Sequence, residues 1–302
     1  MKFSSILLLL FLAFLGACAG AKKVDKSDGE APPPTAKTLK TPIVESSWLG
    51  RNHYVVRTKM ATYYYDPVAG GFSSITDPTG QDWVQYRDKP WGEYPASAAS
   101  SYRGLPNLVF GGDDDGAGHP GHKKTTSSYA GNQIMTESTS GEWAWTWTFD
   151  ERGARLDVTK APADRAYWFL YEGPVGGKWR PEQTWWATDV TEPSYVIKDH
   201  YAGDVHRARH RYMIFGLRES TYAFYMAQLT PDAELDHISM LGNDDAGAKH
   251  SNKGMVVAGF GRDAGAKPLL KGPHSFYIGF AAMGALDEVK QVRKRVEKLY
   301  GE

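Results

Sequence analysis

The stretch Glu142-Trp143-Ala144-Trp145-Thr146-Trp147-Thr148-Phe149 places an aromatic ring at every second position, with small or hydroxyl-bearing residues between. In an extended chain successive side chains point to opposite faces. Trp143, Trp145, Trp147 and Phe149 therefore share one side, and Ala144, Thr146 and Thr148 share the other. A helix would scatter the four rings around its circumference, whereas a strand gathers them. The stretch predicts a strand with one buried face.

The same period of two recurs on both sides. Residues 53–58, 60–65, 71–76 and 83–86 read as strands, divided by Asp66-Pro67, Ala69-Gly70-Gly71 and Asp77-Pro78-Thr79-Gly80. These dividers are turn chemistry, since proline presets φ and glycine takes left-handed conformations. Further strands are predicted over 155–160, 167–171, 194–198, 210–218, 222–229, 255–259 and 275–283. Only residues 286–300 change period: Leu286, Val289, Val292, Val296 and Leu299 recur at spacings of three and four, and the intervening positions are charged. Many short strands with frequent turns predict an all-β fold, a large antiparallel β-sandwich of jelly-roll or supersandwich type with one C-terminal helix. No repeat of fixed period points to a propeller.

Composition narrows the function classes. Lys and Arg together number 35, as do Asp and Glu, so no net field gathers nucleic acid, and a nucleic-acid partner is not expected. The single cysteine, Cys18, leaves no intramolecular disulfide, so stability must come from the core. The chain holds 10 Trp, 17 Tyr and 12 Phe, a density that suits strand packing and equally suits flat platforms for sugar rings.

The candidate polar constellations fall into three main stretches. The first is Tyr102-Arg103 followed by the glycine-rich loop 111–118, which carries Asp113, Asp114 and Asp115, and then by His119 and His122. The carboxylates Asp113 and Asp115 could take calcium through oxygen, a solvated acidic turn being the other reading, and the two histidines lack zinc spacing. No metal or other cofactor is otherwise expected. The second is Glu172, at the end of the apolar run 167–171 and before Gly173-Pro174, where it could serve as acid, base or turn carboxylate. The third is the span 199–212, which holds His200, Tyr201, His206, His210 and Tyr212 with Arg207, Arg209 and Arg211. Alternation there sets the arginines along one side, either to meet an anionic ligand or to blunt a sheet edge with charge. Trp179 and Trp185, with Trp143 and Trp186, are the candidate stacking platforms.

At the start of the chain, Lys2 precedes an apolar run from Ile6 to Leu15 and then Gly16-Ala17-Cys18. Leu15-Gly16-Ala17-Cys18 resembles the lipobox of bacterial lipoproteins. That resemblance implies a signal peptide over residues 1–18, and fatty acyl chains such as palmitate on Cys18. Ala19 in place of an aspartate resembles the pattern of lipoproteins released to the outer membrane. Residues 19–44, with the Pro32-Pro33-Pro34 triplet and few large apolar side chains, then read as a flexible tether to one domain over 45–302.

A lipid-anchored, aromatic-rich β-sandwich with clustered Arg, His and Tyr resembles, in architecture, jelly-roll polysaccharide lyases and mutarotase-like supersandwich enzymes. The likeness implies a polysaccharide or oligosaccharide partner and carries over no individual residue. Chemistry supplies the expected roles. Eliminating across a uronate linkage requires an arginine to neutralise the carboxylate, a His or Tyr to take the adjacent proton, and a Tyr to protonate the leaving oxygen. Tyr102, Arg103, His119, His122, Glu172, His200, Tyr201, His210 and Tyr212 are the candidate catalytic residues. Arg207, Arg209, Arg211, Trp179 and Trp185 are the candidate substrate contacts, with the first and third stretches expected to meet in one cleft. Glycan binding without catalysis, glycoside hydrolysis and a structural envelope role are the competing expectations.

Overall fold

The computed structural model describes residues 42–87, 103–200, 205–241, 254–263, 265–283 and 286–301. Cys18, most of the tether, Tyr102 and Tyr201 lie outside the described residues. The strands, in chain order, are β1 (Val44–Trp48), β2 (Arg51–Arg57), β3 (Thr62–Asp66), β4 (Gly71–Thr76), β5 (Thr125–Ala130), β6 (Gln133–Ser138), β7 (Ala144–Phe149) and β8 (Gly153–Lys160). They continue with β9 (Phe169–Gly173), β10 (Thr184–Thr188), β11 (His206–Ala208), β12 (Tyr212–Leu217), β13 (Tyr222–Gln228), β14 (Asp236–Leu241), β15 (Met255–Phe260) and β16 (Ser275–Ala282). One α-helix, α1 (Val289–Glu297), follows.

Three antiparallel sheets result. An eight-stranded sheet runs β10-β12-β13-β16-β8-β7-β6-β5, and two four-stranded sheets run β1-β2-β3-β4 and β11-β14-β15-β9. The two smaller sheets are joined by residues 104–108. Phe72 N–H donates to Leu105 O at 2.6 Å on one side; on the other, Gly104 and Glu172 exchange two backbone bonds of 2.9 Å. A continuous layer thus faces the eight-stranded sheet, which is the β-sandwich expected from the alternation.

Aromatic side chains fill the space between the layers. Trp143, Trp145, Trp147 and Phe149 are all buried, as the period of two predicts. Phe72 of β4 meets Trp147 of the opposite sheet at 4.8 Å between ring centroids, and Tyr65 at 5.3 Å. Two of these rings are tied at their polar ends: Trp145 Nε1–H donates to Tyr65 Oη at 3.2 Å, and Tyr65 Oη lies 2.6 Å from Thr136 Oγ1. Helix α1 buries Val289, Val292 and Val296 on the outer face of the large sheet, against Tyr212, Ile214, Tyr225 and Tyr277.

Some expected strands are different in the structure. Residues 83–86 and 194–198 form no strand, because Trp83 and Val84 turn into the core from a bend held by Asp82 Oδ1, and Ser194 makes only a bridge to Trp186. Strands β1, β5, β6, β10 and β14 went unassigned in the sequence, since β5 is mostly exposed and hydroxyl-rich and β10 is buried on both faces; β11 is a short part of the alternating strand expected in the span 199–212.

Phe72 lies where both layers touch. Truncating it in Phe72→Ala should lower unfolding free energy by about 3–5 kcal/mol with an unchanged denaturant slope. Urea unfolding followed by tryptophan fluorescence measures this, and a loss below about 1 kcal/mol would remove Phe72 from the centre of the core.

Candidate functional site

Strands β9, β15 and β14 turn one face toward the core and the other outward. Phe169, Tyr171, Val256, Ala258, Ile238 and Met240 point in. Leu170 and Val257 belong to a separate outer cluster with Trp168, Leu241 and Met255. By the alternation of side chains, Glu172, His237 and Ser239 share that outer face. Register aligns them: Glu172 pairs with Val257, and Val257 pairs with Ser239. At two strand spacings, Glu172 and Ser239 backbones stand about 10 Å apart, with the apolar Val257 as the floor between them.

On the Glu172 side, the segment bound to β9 brings in its polar neighbours. Asn107 Nδ2–H donates to Glu172 Oε2 at 3.3 Å, and His119 Nε2 lies 3.5 Å from the same oxygen. Both Glu172 and His119 are buried. His119 Nδ1 faces Pro120 O at 2.8 Å, and a ring nitrogen facing a carbonyl must carry the hydrogen. The Nε2 edge of His119 is thereby turned toward the Glu172 carboxylate. Gly104 allows this approach, since a Cβ there would come within 2.9 Å of His119 Nε2 and 2.7 Å of Pro120 Cδ.

On the other side, His237 Nε2 meets Ser239 Oγ at 2.7 Å, and the His200 ring lies 5.4 Å from the His237 ring. Burial, reinforced by Arg262, lowers His237 to about 2 and His200 to about 4. Both are therefore neutral at ordinary pH. Arg262 follows β15, is buried, and stacks over Trp168 at 5.4 Å. Burial draws it down to about 10, and the nearby charge of Glu172 is the first influence working against that fall. Arg103 is also buried, donating from Nη1 to Gln85 Oε1 at 3.1 Å and from Nη2 to Gly254 O at 2.7 Å. Burial and then Arg87 bring it down to about 9. Trp179 packs against Gly254, where a Cβ would meet its Nε1 at 2.5 Å.

The structure thus gathers His119, Glu172 and His200 around one patch, with Arg207 in register with His237 on the same sheet; Trp179 belongs instead to the core between the layers, and the charge of Arg103 acts on Tyr171 of the inward face. His122 stands edge-on to His119 at 5.4 Å and is lowered by burial to about 4. Other candidates lie elsewhere. Tyr212 and Trp185 belong to the cluster under α1, on the outer face of the opposite sheet. Burial, then Glu297, raises Tyr212 to about 12, opposite to what an acid phenol requires. His210 is buried between the layers, with Nδ1 3.4 Å from Asp189 Oδ1 and Nε2 3.0 Å from His206 Nε2. Arg211 pairs with Glu297 at 3.0 Å and stacks on Tyr300, and Arg209 is exposed.

The acidic loop is occupied with itself. Asp115 Oδ1 accepts Gly111 N–H at 2.7 Å, Asp114 accepts from Ser138 and Ser140, and Asp113 O accepts Lys124 Nζ at 2.8 Å. Among the described residues no group of three or more His, Cys, Asp or Glu is placed to hold a metal ion, so the calcium expectation at Asp113 and Asp115 finds no ligand set. Asn107, His237 and Ser239 were not singled out in the sequence, and Arg262 only headed a polar stretch, 262–274, that showed no recognisable chemical spacing. The available signals were polar His237 and Ser239 alternating with Ile238 and Met240, and an arginine closing an apolar strand after Gly261.

Neutral burial of histidine has a pH signature. Above pH 6.5 His237 is uncharged folded or unfolded; below it the unfolded chain binds a proton that the folded site refuses until about pH 2. Stability contributed by this group is therefore lost as pH falls below 6.5, with a slope of about 1.4 kcal/mol per pH unit. His237→Gln should flatten the stability profile between pH 6 and 4 by about that slope, measured by urea unfolding at each pH. Parallel profiles for the two proteins would contradict the burial of a neutral ring.

No family model matches the chain, and no curated protein sequence matches it. Likeness appears in backbone structure. The crystal structure of HI1317 superposes with a TM-score of 0.50 at 8% identity, covering 81% of this chain and 98% of that one. A galactose mutarotase related enzyme from Lactobacillus acidophilus gives 0.47 at 9% identity, over 77% and 99%. A galactose mutarotase-like protein from Lactobacillus casei ATCC 334 gives 0.47 at 9%, over 75% and 99%. At such identities the similarity to HI1317 speaks for a shared fold.

Proposed function

We propose that the protein acts on a carbohydrate by proton transfer, at the outer face of β9, β15 and β14. The observation that carries this reading is the placement of proton-handling groups on both sides of an apolar floor one strand wide. Glu172 with His119 stands on one side, and His237 with Ser239 and His200 stands on the other. A sugar ring offers an apolar face to such a floor and hydroxyls or acidic C–H groups at its edges. Acid on one edge and base on the other is what ring chemistry of this kind needs.

The finer form of the proposal is β-elimination from a uronate-containing polysaccharide. A buried arginine supports it by offsetting the charge of the carboxylate, and a neutral His200 or His237 supports it as the base. Tyr102 or Tyr201 would supply the proton for the leaving oxygen, since Tyr212 lies across the sandwich. Hydrolysis is less favoured, because it needs two carboxylates facing one bond and the described cluster holds Glu172 alone. The Leu15-Gly16-Ala17-Cys18 stretch supports an envelope location, with a lipid on Cys18 holding the body at the outer membrane.

Glu172→Gln and His119→Gln should each lower turnover of a uronate glycan by roughly 100- to 10,000-fold with the fold retained. Ultraviolet absorbance of the unsaturated product measures elimination, and circular dichroism checks the fold. Retained activity in both variants would exclude the pair from the chemistry. Retention on a glycan affinity gel without any product would favour binding alone.

A further inference from the structure

The proton-transfer reading calls for a buried arginine without saying which one, and Arg262 has a feature that singles it out. The side chain is 94% removed from solvent, at 6% exposure, yet its Nε and Nη1 have no hydrogen-bond partner. A guanidinium is always charged at ordinary pH and brings five N–H donors, so burying it with donors unpaired is costly unless an acceptor arrives. Glu172 is the first anion whose charge acts on it, and the Oε2 of that carboxylate accepts from Asn107. On the other side stand His200 and His237, both neutral, and His237 Nδ1 is likewise buried without a partner. Two orphaned polar groups therefore face the same patch from β14 and from the turn after β15.

We propose that Arg262 binds the acidic group of the sugar taken by this site, and that the substrate class is a uronate. The proposal rests on reading the patch as a carbohydrate site. Trp168 beneath the guanidinium fixes its plane, leaving its edge to donate. A carboxylate suits the local charge better than a phosphate: one negative charge balances the cation, whereas a dianion would meet Glu172 as well. The exposed arginines at 207, 209 and 211 lack this setting: all three stand open to solvent, and Arg211 is paired with Glu297.

The test is calorimetric titration of the full-length protein in detergent, with galacturonate and glucuronate oligosaccharides and with their neutral galactose and glucose counterparts. Uronates should bind more tightly than the neutral sugars. Arg262→Gln should lower uronate affinity by roughly 10- to 100-fold and leave neutral-sugar affinity within about twofold. Arg155→Gln, an exposed control on β8 of the opposite sheet, should leave the preference intact. Thermal unfolding checks that Arg262→Gln is folded, and Arg262→Met serves where the amide disturbs the site. An unchanged uronate preference in folded Arg262 variants overturns the assignment while the carbohydrate reading stands. Tighter binding of hexose phosphates than of uronates overturns the substrate class. Binding of none of these sugars by the unaltered protein overturns the carbohydrate reading itself.

Discussion

The paired backbone hydrogen bonds between Gly104 and Glu172 are the constraint on which both fold and site depend. They attach an irregular segment to the free edge of β9, while Leu105 in the same segment accepts from Phe72 of β4. One short run of chain thereby joins two small sheets into a layer wide enough to cover the eight-stranded sheet. The same run carries Arg103 and Asn107 and leads into His119. Closing the layer and assembling the Glu172 side of the patch are one structural event.

The patch is expensive to keep. Glu172, His119, His237 and Arg262 are all buried, and a buried polar atom left over, such as His237 Nδ1 or Arg262 Nε, costs about 1–3 kcal/mol. The aromatic core on the other face of the same strands supplies the offset. Tyr171 and Phe169 alternate with Leu170 and Glu172 along β9, so a strand anchored by rings on its inner side holds a carboxylate on its outer side. Rigid anchoring of this kind holds Glu172 and His119 side by side, 3.5 Å apart.

Polar residues with a purely structural explanation are equally informative. Asp114 holds Ser138 and Ser140, Asp236 accepts His210 N–H and Gly261 N–H, and Asp77 takes Trp83 Nε1–H. Each ties a loop to a strand with its acceptors satisfied. Arg262 and His237 differ from these in being buried with atoms left over on the same outer face as Glu172.

The all-β character, the buried ring face of β7 and the helix at 286–300 were legible in the sequence, because period is a local property of consecutive residues. So were His119, Glu172, Arg103 and His200 as unusual polar residues. Residues such as Trp83 and Val84 misled, since a buried bend and a buried strand show the same apolar composition. Which polar residues meet was decided by register and by the closure at Gly104, which bring together positions far apart in the chain: 119 with 172, and 237 with 262. Tyr212 and His210 lie close in sequence to His200, yet they face a different surface and the sandwich interior. Neighbourhood along a strand specifies a face, but only the pairing of strands specifies who stands opposite.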